Sequence, residues 1–381
     1  MELLINNGNI APSFFYTREK LLRAFLEKRV DVTISGKQIG CDEFIKDYGL
    51  KYRYVDVDRT GTNLLKDVVT IIDYIRLCRK YQYDIVFSYT VKPNIYGSIG
   101  ARIAGIKRIY PTVNGLGYAF TDSGKITIKQ KAIKRINIYL YRIAFTCSKK
   151  VFFQNWDDAE ELIQYHAVPR NKCIVVSGSG IDLEKYNYAP LKNTDVFLFA
   201  SRLLLTKGIR TFLEAAKRIK REYPLARFLV AGSIDSNPDS ISKNELETAV
   251  SEGTIEYLGH VSNMKEKLEQ CSVFVLPSYY REGVPHAVLE AMSVGRAIIT
   301  CNTPGCKDTI SAPDEHGKGR NGFLIGPKDS EALYSRMKWL LNHPDSLEAM
   351  GIESRKYAKE VFDVNIVNSI ILNEMEIFEG G

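Results

Sequence analysis

The 381-residue chain lacks any apolar run near the roughly 18–20 residues that a membrane-spanning helix requires. It also lacks a repeat of fixed period, and its first residues, MELLINNGNIAPSFF, have neither the basic stretch nor the cleavage site of a secretory signal. Hydrophobic residues make up 45% and charged residues 25%, values that exclude a disordered or fibrous protein. We therefore expect a globular cytoplasmic protein with two domains.

The sequence lacks the motifs of several common kinds of functional site. The seven cysteines are scattered without a CxxC pair, which indicates reduced thiols, and the five histidines show no metal-ligand spacing. Neither GxSxG nor GxxxxGK[ST] occurs, and no GxGxxG precedes an acidic residue at the spacing of a nicotinamide site. The segment Asp56-Val57-Asp58 has the form of a metal-binding DxD, but it stands far from the other candidate residues, and we expect no metal there.

Positive charge is concentrated in the first half of the chain. Residues 1–185 carry 29 lysines and arginines against 19 acidic residues, whereas residues 186–381 carry 23 against 26. Residues 125–150 contain eight of these cations and no acid, with isoleucines and tyrosines at helical spacing. This pattern predicts an amphipathic helix, which could lie on an anionic membrane or simply expose a basic face to water. Nucleic acid is disfavoured because no recognised binding module occurs.

Strand-like and helical segments alternate along both halves, which predicts an α/β protein with a doubly wound parallel sheet in each half. We expect a first domain over 1–182, a linker over 183–195 and a second domain over 196–362. Residues 363–381 should form a C-terminal helix that packs back toward the first domain. Ligands of such sheets bind beyond the carboxyl ends of the strands, so the site should lie between the two domains.

One candidate cluster follows the predicted strand VFLFA. Arg202 and Lys207 stand five residues apart, beside Gly208 and the start of a predicted helix. A guanidinium offers two parallel donors, an ammonium a point charge and a helix N-terminus its dipole, so this segment could bind a diphosphate. Both cations could equally be solvated loop residues.

A second cluster, EGVPHAVLE, follows the predicted strand VFVLPSY. The pattern places Glu282 in a Gly-Pro loop and Glu290 two turns into a helix, with His286 between them. Carboxylates accept hydrogen bonds from sugar and ribose hydroxyls, and amides at a helix start can meet a phosphate or sugar oxygen. The alternative is a helix-terminal charge and a surface glutamate, which the apolar neighbours of Glu290 disfavour.

Glycine-bearing loops are expected after two strands of the first half. Gly8 belongs to such a loop after the first strand, and Asn114 and Gly115 belong to one after the fifth. Glycine lets a backbone approach a ligand closely, so both loops are candidate contacts.

In this order, the segments resemble the retaining glycosyltransferases of family 4. The resemblance rests on EGVPHAVLE, AMSVGRAIITCNTPGCKDTI, NGFLIGP, SRLLLTKG and EYLGHVSNM in the second half, and on KPNIYGSIGARIAGI, TVNGLGYAF and FFQNWDDAEEL in the first. It extends along nearly the whole chain. It is strongest for the subgroup that builds capsule, O-antigen and N-glycan precursors on undecaprenyl diphosphate, including α-1,3-N-acetylgalactosaminyltransferases. The resemblance implies GT-B architecture, with two Rossmann-like doubly wound domains facing across a cleft.

The resemblance also implies roles for the two clusters. Arg202 and Lys207 would neutralise the donor diphosphate, Glu282 would hold donor-sugar hydroxyls, and Glu290 would accept from the ribose. Other implied donor contacts are Gly8, Gly259, His260, Gly283, Val284, Pro285 and His286. No metal or other cofactor is expected, because protein cations would stabilise the leaving group.

On the acceptor side, the chain departs from many of the proteins it resembles. They carry a histidine after the fourth strand, where this sequence has SYTVKPN at 88–94. Thr90 or Lys92 could replace it, and Asn114 and Gly115 complete the expected acceptor region.

The implied function is transfer of an α-linked sugar, N-acetylgalactosamine first among the candidates, from a UDP-sugar to a polyprenyl-diphosphate-linked saccharide. The enzyme would lie peripherally on the cytoplasmic face of the inner membrane. Lys129, Lys131, Lys134 and Arg135 would then contact anionic lipid, at about 1 kcal/mol per cation. The alternatives are a GT-B-fold sugar-nucleotide epimerase or hydrolase, and an inert nucleotide-sugar binding protein.

Overall fold

The structure, a computed structural model, describes residues 1–58, 64–121, 127–235 and 237–378. The chain divides into two units. The first contains the described residues of Met1–Phe120, Ile126–Gly180 and Val364–Gly381, and the second contains Thr121 and the described residues of Ile181–Asp363. Lys125 and Ile126, at the start of the predicted basic helix, lie outside the described residues.

The first unit is built on a parallel sheet that has seven strands within the described residues. The strands are β1 (Glu2–Ile10), β2 (Asp31–Gln38), β3 (Lys51–Arg53), β4 (Ile85–Tyr89), β5 (Arg108–Val113), β6 (Val151–Phe153) and β7 (Cys173–Val175). Their order is β3-β2-β1-β4-β5-β6-β7, and all neighbours are parallel. The order reverses between β1 and β4, where the strand ends of a doubly wound sheet bound a ligand crevice.

Helices cover both faces of this sheet, so consecutive residues of its central strands are buried, including all five of β4. They are α1 (Pro12–Glu27), α2 (Asp42–Asp47), α3 (Leu64–Tyr81), α4 (Ser98–Ile103), α5 (Ile128–Cys147) and α6 (Trp156–Gln164), and a π-helical turn, Pro93–Gly97, leads into α4. Thr127 caps α5 by accepting from the Gln130 amide, and Asn155 caps α6 by accepting from the Asp158 amide.

The second unit repeats the arrangement. Its strands are β8 (Val196–Ala200), β9 (Arg227–Ala231), β10 (Glu256–Gly259), β11 (Val273–Leu276), β12 (Ala297–Cys301), β13 (Lys318–Gly319) and β14 (Gly322–Ile325). The order is β10-β9-β8-β11-β12-β14-β13, parallel except for the short β13 at one edge. The reversal between β8 and β11 places the loops that follow these two strands beside each other, and these loops contain both predicted clusters.

The helices of the second unit are α7 (Ile209–Glu222), α8 (Lys243–Ser251), α9 (Met264–Gln270), α10 (His286–Val294), α11 (Ser330–Asn342) and α12 (Asp345–Val361). A 3-10 turn, Leu205–Lys207, precedes α7, and Gly208 joins the two with φ of 84°. A Cβ atom at Gly208 would lie 2.1 Å from the carbonyl oxygen of Pro277. Glycine at 208 therefore allows the loops after β8 and β11 to pack together.

The chain returns to the first unit for its last helix, α13 (Val364–Glu374). Val367, Ile371 and Leu372 pack in the same core as Leu3 and Ile5 of β1. The Arg108 guanidinium donates to the Met375 carbonyl at 2.5 Å, and Lys149 pairs with Glu376 at 2.7 Å. Hydrophobic burial and these polar contacts fix the chain end on the first unit.

The predicted α/β class is confirmed, while some local boundaries differ. Gly8 was expected in a loop after the first strand, and this expectation is wrong: β1 continues to Ile10. The pairing of β1 with β2 shifts register between Asn6 and Asn9 and then resumes, so Gly8 lies at an irregularity inside the strand. In the segment predicted as a linker, Leu183, Tyr186 and Leu191 pack against the core of the second unit.

Candidate functional site

Lys207 and Glu282 form an ion pair in the second unit. The Lys207 ammonium contacts the Glu282 carboxylate, and the two side chains are only 12% and 16% exposed. The Ser278 hydroxyl donates to the other carboxylate oxygen, Oε1, at 2.7 Å. The loops after β8 and β11 thus bring together two residues that are 75 positions apart in the sequence.

Arg202, the other predicted cation, lies nearer to solvent. Its side chain is 52% exposed, and Nη1 donates to Asp235 Oδ2 at 3.2 Å. An exposed ion pair of this kind contributes little to stability and is readily exchanged for another anion. Its guanidinium can therefore leave Asp235 for a phosphate at small cost.

The loop that carries Glu282 packs against the segment that follows β12. Gly283, Val284 and Pro285 are buried, and Pro285 directly precedes α10. A Cβ atom at Gly305 would lie 2.1 Å from the Gly283 carbonyl oxygen, so the segment after β12 supports this loop by direct backbone packing. Burial, together with the charge of Glu282, raises the pKa of the nearby Cys306 thiol to about 12. The thiol therefore stays protonated at neutral pH, and the negative charge at this site belongs to Glu282.

Glu290 lies in the second turn of α10 with 17% of its side chain exposed. Its Oε1 accepts a hydrogen bond from the Tyr186 hydroxyl at 2.8 Å. His286 Nδ1 lies 3.3 Å from the same oxygen, one helical turn earlier. Glu290 and His286 were predicted from the sequence, whereas Tyr186 was not, since no local pattern links positions 104 residues apart.

Two further predicted donor contacts lie apart from these pairs. Gly259 ends β10 with φ of 65°, and its carbonyl accepts from the Gly232 amide at 2.8 Å. His260, which follows it, is exposed. Within the described residues, no hydrogen bond joins Gly259 or His260 to Glu282 or Glu290. Their contact with a nucleobase stays a prediction.

In the first unit, a polar cleft of about 280 Å³ opens at the carboxyl ends of β1 and β4. Thr90, directly after β4, has φ of 67°, which is unusual for a β-branched residue and turns the chain sharply at the cleft. Its hydroxyl would lie 3.5 Å from a Cβ atom at Gly8. Asn7, which is 9% exposed, also lines the cleft, and its Oδ1 is buried without a hydrogen-bond partner among the described residues.

Of the other predicted acceptor residues, one lines this cleft and one does not. Asn114 also lines the cleft, and Gly115 follows it with φ of 104°. Lys92 pairs with Asp67 at 2.7 Å, with both side chains largely buried. Burial and a hydrogen bond with the same Asp67 raise the pKa of Tyr96. Lys92 thus fastens the π-helical turn to α3, and it does not line the cleft.

The basic helix α5 exposes apolar side chains as well as cations. Ile128, Ile136 and Tyr139 are 89%, 54% and 63% exposed. The exposed cations beside them are Lys129, Lys131, Arg135 and Arg142. Lys134 differs, because its ammonium pairs with Glu161 at 2.6 Å and lies 4.7 Å from the Phe120 ring centroid. It therefore faces α6, and the outward face of α5 carries the other three predicted membrane residues.

Two further findings concern metals and membranes. Within the described residues, no group of three or more His, Cys, Asp or Glu side chains is arranged to hold a metal ion. Over the same residues, each helix is too short or too polar to cross a bilayer.

Comparison with protein families assigns each half of the chain. Residues 3–155 match the family described as "Glycosyl transferase 4-like", and residues 182–357 match "Glycosyl transferases group 1". A Campylobacter jejuni N,N'-diacetylbacillosaminyl-diphospho-undecaprenol alpha-1,3-N-acetylgalactosaminyltransferase is 28% identical over 88% of both chains. An Escherichia coli UDP-Gal:alpha-D-GlcNAc-diphosphoundecaprenol alpha-1,3-galactosyltransferase is 29% identical over 81% of this chain and 80% of its own.

Solved structures agree with the predicted GT-B fold. A glycosyltransferase from Rickettsia africae matches with a TM-score of 0.77 at 16% identity, over 100% of this chain and 99% of its own. HepE from Anabaena, solved with UDP, matches with a TM-score of 0.77 at 16% identity, over 99% of this chain and 100% of its own. The chain is therefore a glycosyltransferase in which a glycosyl transferase 4-like domain precedes a glycosyl transferases group 1 domain.

Proposed function

We propose that this glycosyltransferase is a retaining enzyme of family 4 that transfers N-acetylgalactosamine from a UDP-sugar to a polyprenyl-diphosphate-linked saccharide. The observation that carries the proposal is the Lys207–Glu282 pair, with Arg202 on the same loop, in the domain that matches the group 1 transferases. The acceptor class is supported by the Campylobacter and Escherichia relatives, whose names both specify diphospho-undecaprenol-linked acceptors. The first of these names also supports the sugar.

The cations act on the leaving group. As the bond between the anomeric carbon and the diphosphate breaks, negative charge grows on the departing oxygen, and Arg202 and Lys207 stabilise it. Lys207 is already held in place by Glu282, so little reorganisation is needed. Because these fixed charges do the work of a divalent cation, the reaction needs no metal.

Glu282 holds the donor sugar, and Glu290 accepts from the ribose hydroxyls. The acceptor hydroxyl then attacks the anomeric carbon from the face that the diphosphate leaves. The new carbon–oxygen bond forms on that face, the proton of the attacking hydroxyl passes to the departing phosphate oxygen, and the α configuration is kept. No protein nucleophile is required, and Glu282 serves only to orient the sugar.

The acceptor saccharide occupies the polar cleft of the first unit. Asn7 Oδ1 lacks a partner among the described residues there, and burying an unpaired acceptor is costly. A sugar hydroxyl would satisfy it, while the Thr90 hydroxyl and Asn114 offer further polar contacts. The cleft thus suits a polar ligand that donates hydrogen bonds.

The outward face of α5 contacts an anionic membrane. Its exposed isoleucines and tyrosine can enter the headgroup region, and Lys129, Lys131 and Arg135 can meet lipid phosphates. A lipid-linked acceptor makes such contact useful, because it keeps the first unit where the substrate resides. The enzyme then acts at the cytoplasmic face of the inner membrane.

The central test is a nucleotide-release assay with UDP-, GDP- and dTDP-sugars, with and without short-chain polyprenyl-diphosphate saccharides. We expect UDP release that requires an acceptor, persists in EDTA and falls about 100-fold or more in Glu282→Gln. The matched control is Glu247→Gln, an exposed glutamate of the same unit, which should behave as wild type. Proton spectra of the product should show an α linkage.

The alternatives predict other results. Release without any acceptor would favour an epimerase or hydrolase. Binding of UDP-sugar with no turnover on any acceptor would favour an inert binding protein. Loss of activity in EDTA that returns with a divalent cation would contradict the metal-independent mechanism.

Membrane contact is tested by sedimentation with vesicles of phosphatidylcholine and phosphatidylglycerol. Replacing Lys129, Lys131 and Arg135 by serine should abolish binding. The matched control replaces Lys37, Lys46 and Lys107, three exposed lysines elsewhere on the first unit, and removes the same charge. If the α5 variant still sediments like the control, the docking face is wrong.

A further inference from the structure

The Tyr186 hydroxyl is set against Glu290 by a network of its own. Tyr186 lies between β7 and β8, in the segment that the sequence predicted as a linker. Its hydroxyl donates to Glu290 Oε1 at 2.8 Å, the same oxygen that His286 Nδ1 approaches at 3.3 Å. Both contacts therefore engage one carboxylate oxygen, and within the described residues no hydrogen bond occupies Oε2, which is available to a ligand.

The backbone of Tyr186 is fixed from two helices. Its carbonyl accepts from the Ser293 hydroxyl of α10 at 2.5 Å and from Arg355 Nη1 of α12 at 2.8 Å. The same guanidinium donates to the Leu183 carbonyl at 3.1 Å. Ser293 is one turn beyond Glu290 on α10, so one helix carries both the carboxylate and an anchor for the tyrosine that contacts it.

The phenol can only donate to this carboxylate in the physiological range. Burial and the charge of Glu290 raise the pKa of Tyr186 well above its usual value. The hydroxyl therefore stays protonated, and it holds the carboxylate in one rotamer by a charge-assisted hydrogen bond. A carboxylate that is already oriented loses less freedom when it binds a ligand.

We infer that Tyr186 is a positioning residue for nucleotide binding, which fixes Glu290 through Oε1 so that Oε2 accepts from a ribose hydroxyl of the donor. The inference rests on the proposed function, because it takes Glu290 as the ribose contact. Tyr186 does not touch the substrate in this arrangement and acts through the Glu290 side chain. His286 is the second group that contacts Oε1 and helps to orient the same carboxylate.

The test compares UDP with 2′,3′-dideoxy-UDP, which lacks both ribose hydroxyls, by titration calorimetry. Tyr186→Phe removes only the oxygen atom and keeps the packed ring. We expect this change to weaken UDP binding about tenfold, the effect of losing one hydrogen bond to a charged group. Binding of the dideoxy nucleotide should change less than about twofold, because it makes no ribose contact for Glu290 to lose.

The matched control is Tyr188→Phe, in the same segment, whose ring packs against Gly295. It should leave both affinities unchanged. In turnover assays Tyr186→Phe should raise the donor KM and leave kcat within about twofold, because the contact is equal in ground and transition states. In the Glu290→Gln background, Tyr186→Phe should have little further effect, since the two side chains act as one unit.

Three outcomes would overturn the inference. Equal losses for both nucleotides would make Tyr186 a structural residue, and tighter UDP binding in Tyr186→Phe would make it a competitor of the ligand. Unchanged UDP binding would show that Glu290 needs no positioning. If the wild-type protein itself does not prefer UDP to the dideoxy nucleotide, the ribose role of Glu290 fails, and both the proposed function at this residue and the inference fall together.

Discussion

Breaking the Lys207–Glu282 pair should destabilise the second unit strongly. Lys207→Met leaves the Ser278 hydroxyl as the side-chain donor to the Glu282 carboxylate within the described residues, and only 16% of the glutamate side chain is exposed. Removing one partner of a buried ion pair costs about 3–5 kcal/mol, and the residual exposure puts the expected loss near the lower end, about 3 kcal/mol. For a unit of this size, that corresponds to a fall in Tm of roughly 6–12 °C.

The second unit can be followed separately, because the sequence has two tryptophans and one lies in each unit. Trp339 stacks on His343 and meets the Phe323 ring edge-on, so its fluorescence should change when the second unit unfolds. Trp156, in the first unit, is 52% exposed and can be replaced by phenylalanine. Urea unfolding in that background then reports the free energy of unfolding of the second unit.

The double variant Lys207→Met/Glu282→Gln separates stability from chemistry. It removes both charges, so most of the lost stability should return, to within about 1 kcal/mol of wild type, while activity stays absent. A cost below about 1 kcal/mol in Lys207→Met would show that water solvates Glu282 as at a surface pair. A double variant as unstable as the single one would show that packing, and not charge, holds the loops together.

Three further perturbations follow from other parts of the structure. Gly208→Ala should lower the free energy of unfolding in urea by about 3 kcal/mol, because position 208 has a positive φ and the new Cβ atom would clash with Pro277. The control Gly253→Ala should lower it by only about 1 kcal/mol, because its φ is 69° but no atom lies near the new Cβ. Glu256, whose pKa is lowered by hydrogen bonds from Arg227, stabilises the fold above about pH 4.5, and this contribution is lost as the pH falls through its lowered pKa. Glu256→Gln should therefore cost under about 1 kcal/mol at pH 7, with a deficit that shrinks as the pH falls below 4.5, and a deficit that stays constant with pH would contradict the pairing. Iodoacetamide at pH 8 should modify Cys147 first. Burial raises the pKa of its thiol too, but the side chain is partly exposed, whereas Cys271 and Cys306 are buried with pKa values raised to about 12. Equal labelling by mass spectrometry would contradict this.

Features that depend on one segment of the chain could be predicted from the sequence. The run VFLFA is apolar at every position, and all five residues of β8 are buried. The helix α5 was expected from spacing alone, and Thr127 supplies the cap at its start. The loop positions of Arg202, Lys207 and Glu282 also followed from strand ends, because a parallel sheet collects such loops at one edge.

Contacts between segments could not be foreseen in the same way. Lys129 and Lys134 have the same charge and lie on one helix, yet Lys134 meets Glu161 of α6 while Lys129 faces water. Helical spacing gives the direction of a side chain but not the partner that another element brings to it. Tyr186 shows the same limit, since its hydroxyl gains meaning only when α10 places Glu290 beside it.

The adjacency of Gly180 and Val364 shows how the first unit could be expressed alone. A Cβ atom at Gly180 would lie 2.6 Å from Val364 Cα, so the two residues that flank the second unit's segment, 181–363, are in contact. Residues 1–180 by themselves lack α13, and with it Val367, Ile371 and Met375 of the core. We therefore expect residues 1–180 alone to be destabilised by the loss of this part of the core, whereas joining residue 180 directly to residue 364 should keep it. Such a domain would allow vesicle binding and saccharide binding to be measured in the absence of the nucleotide site.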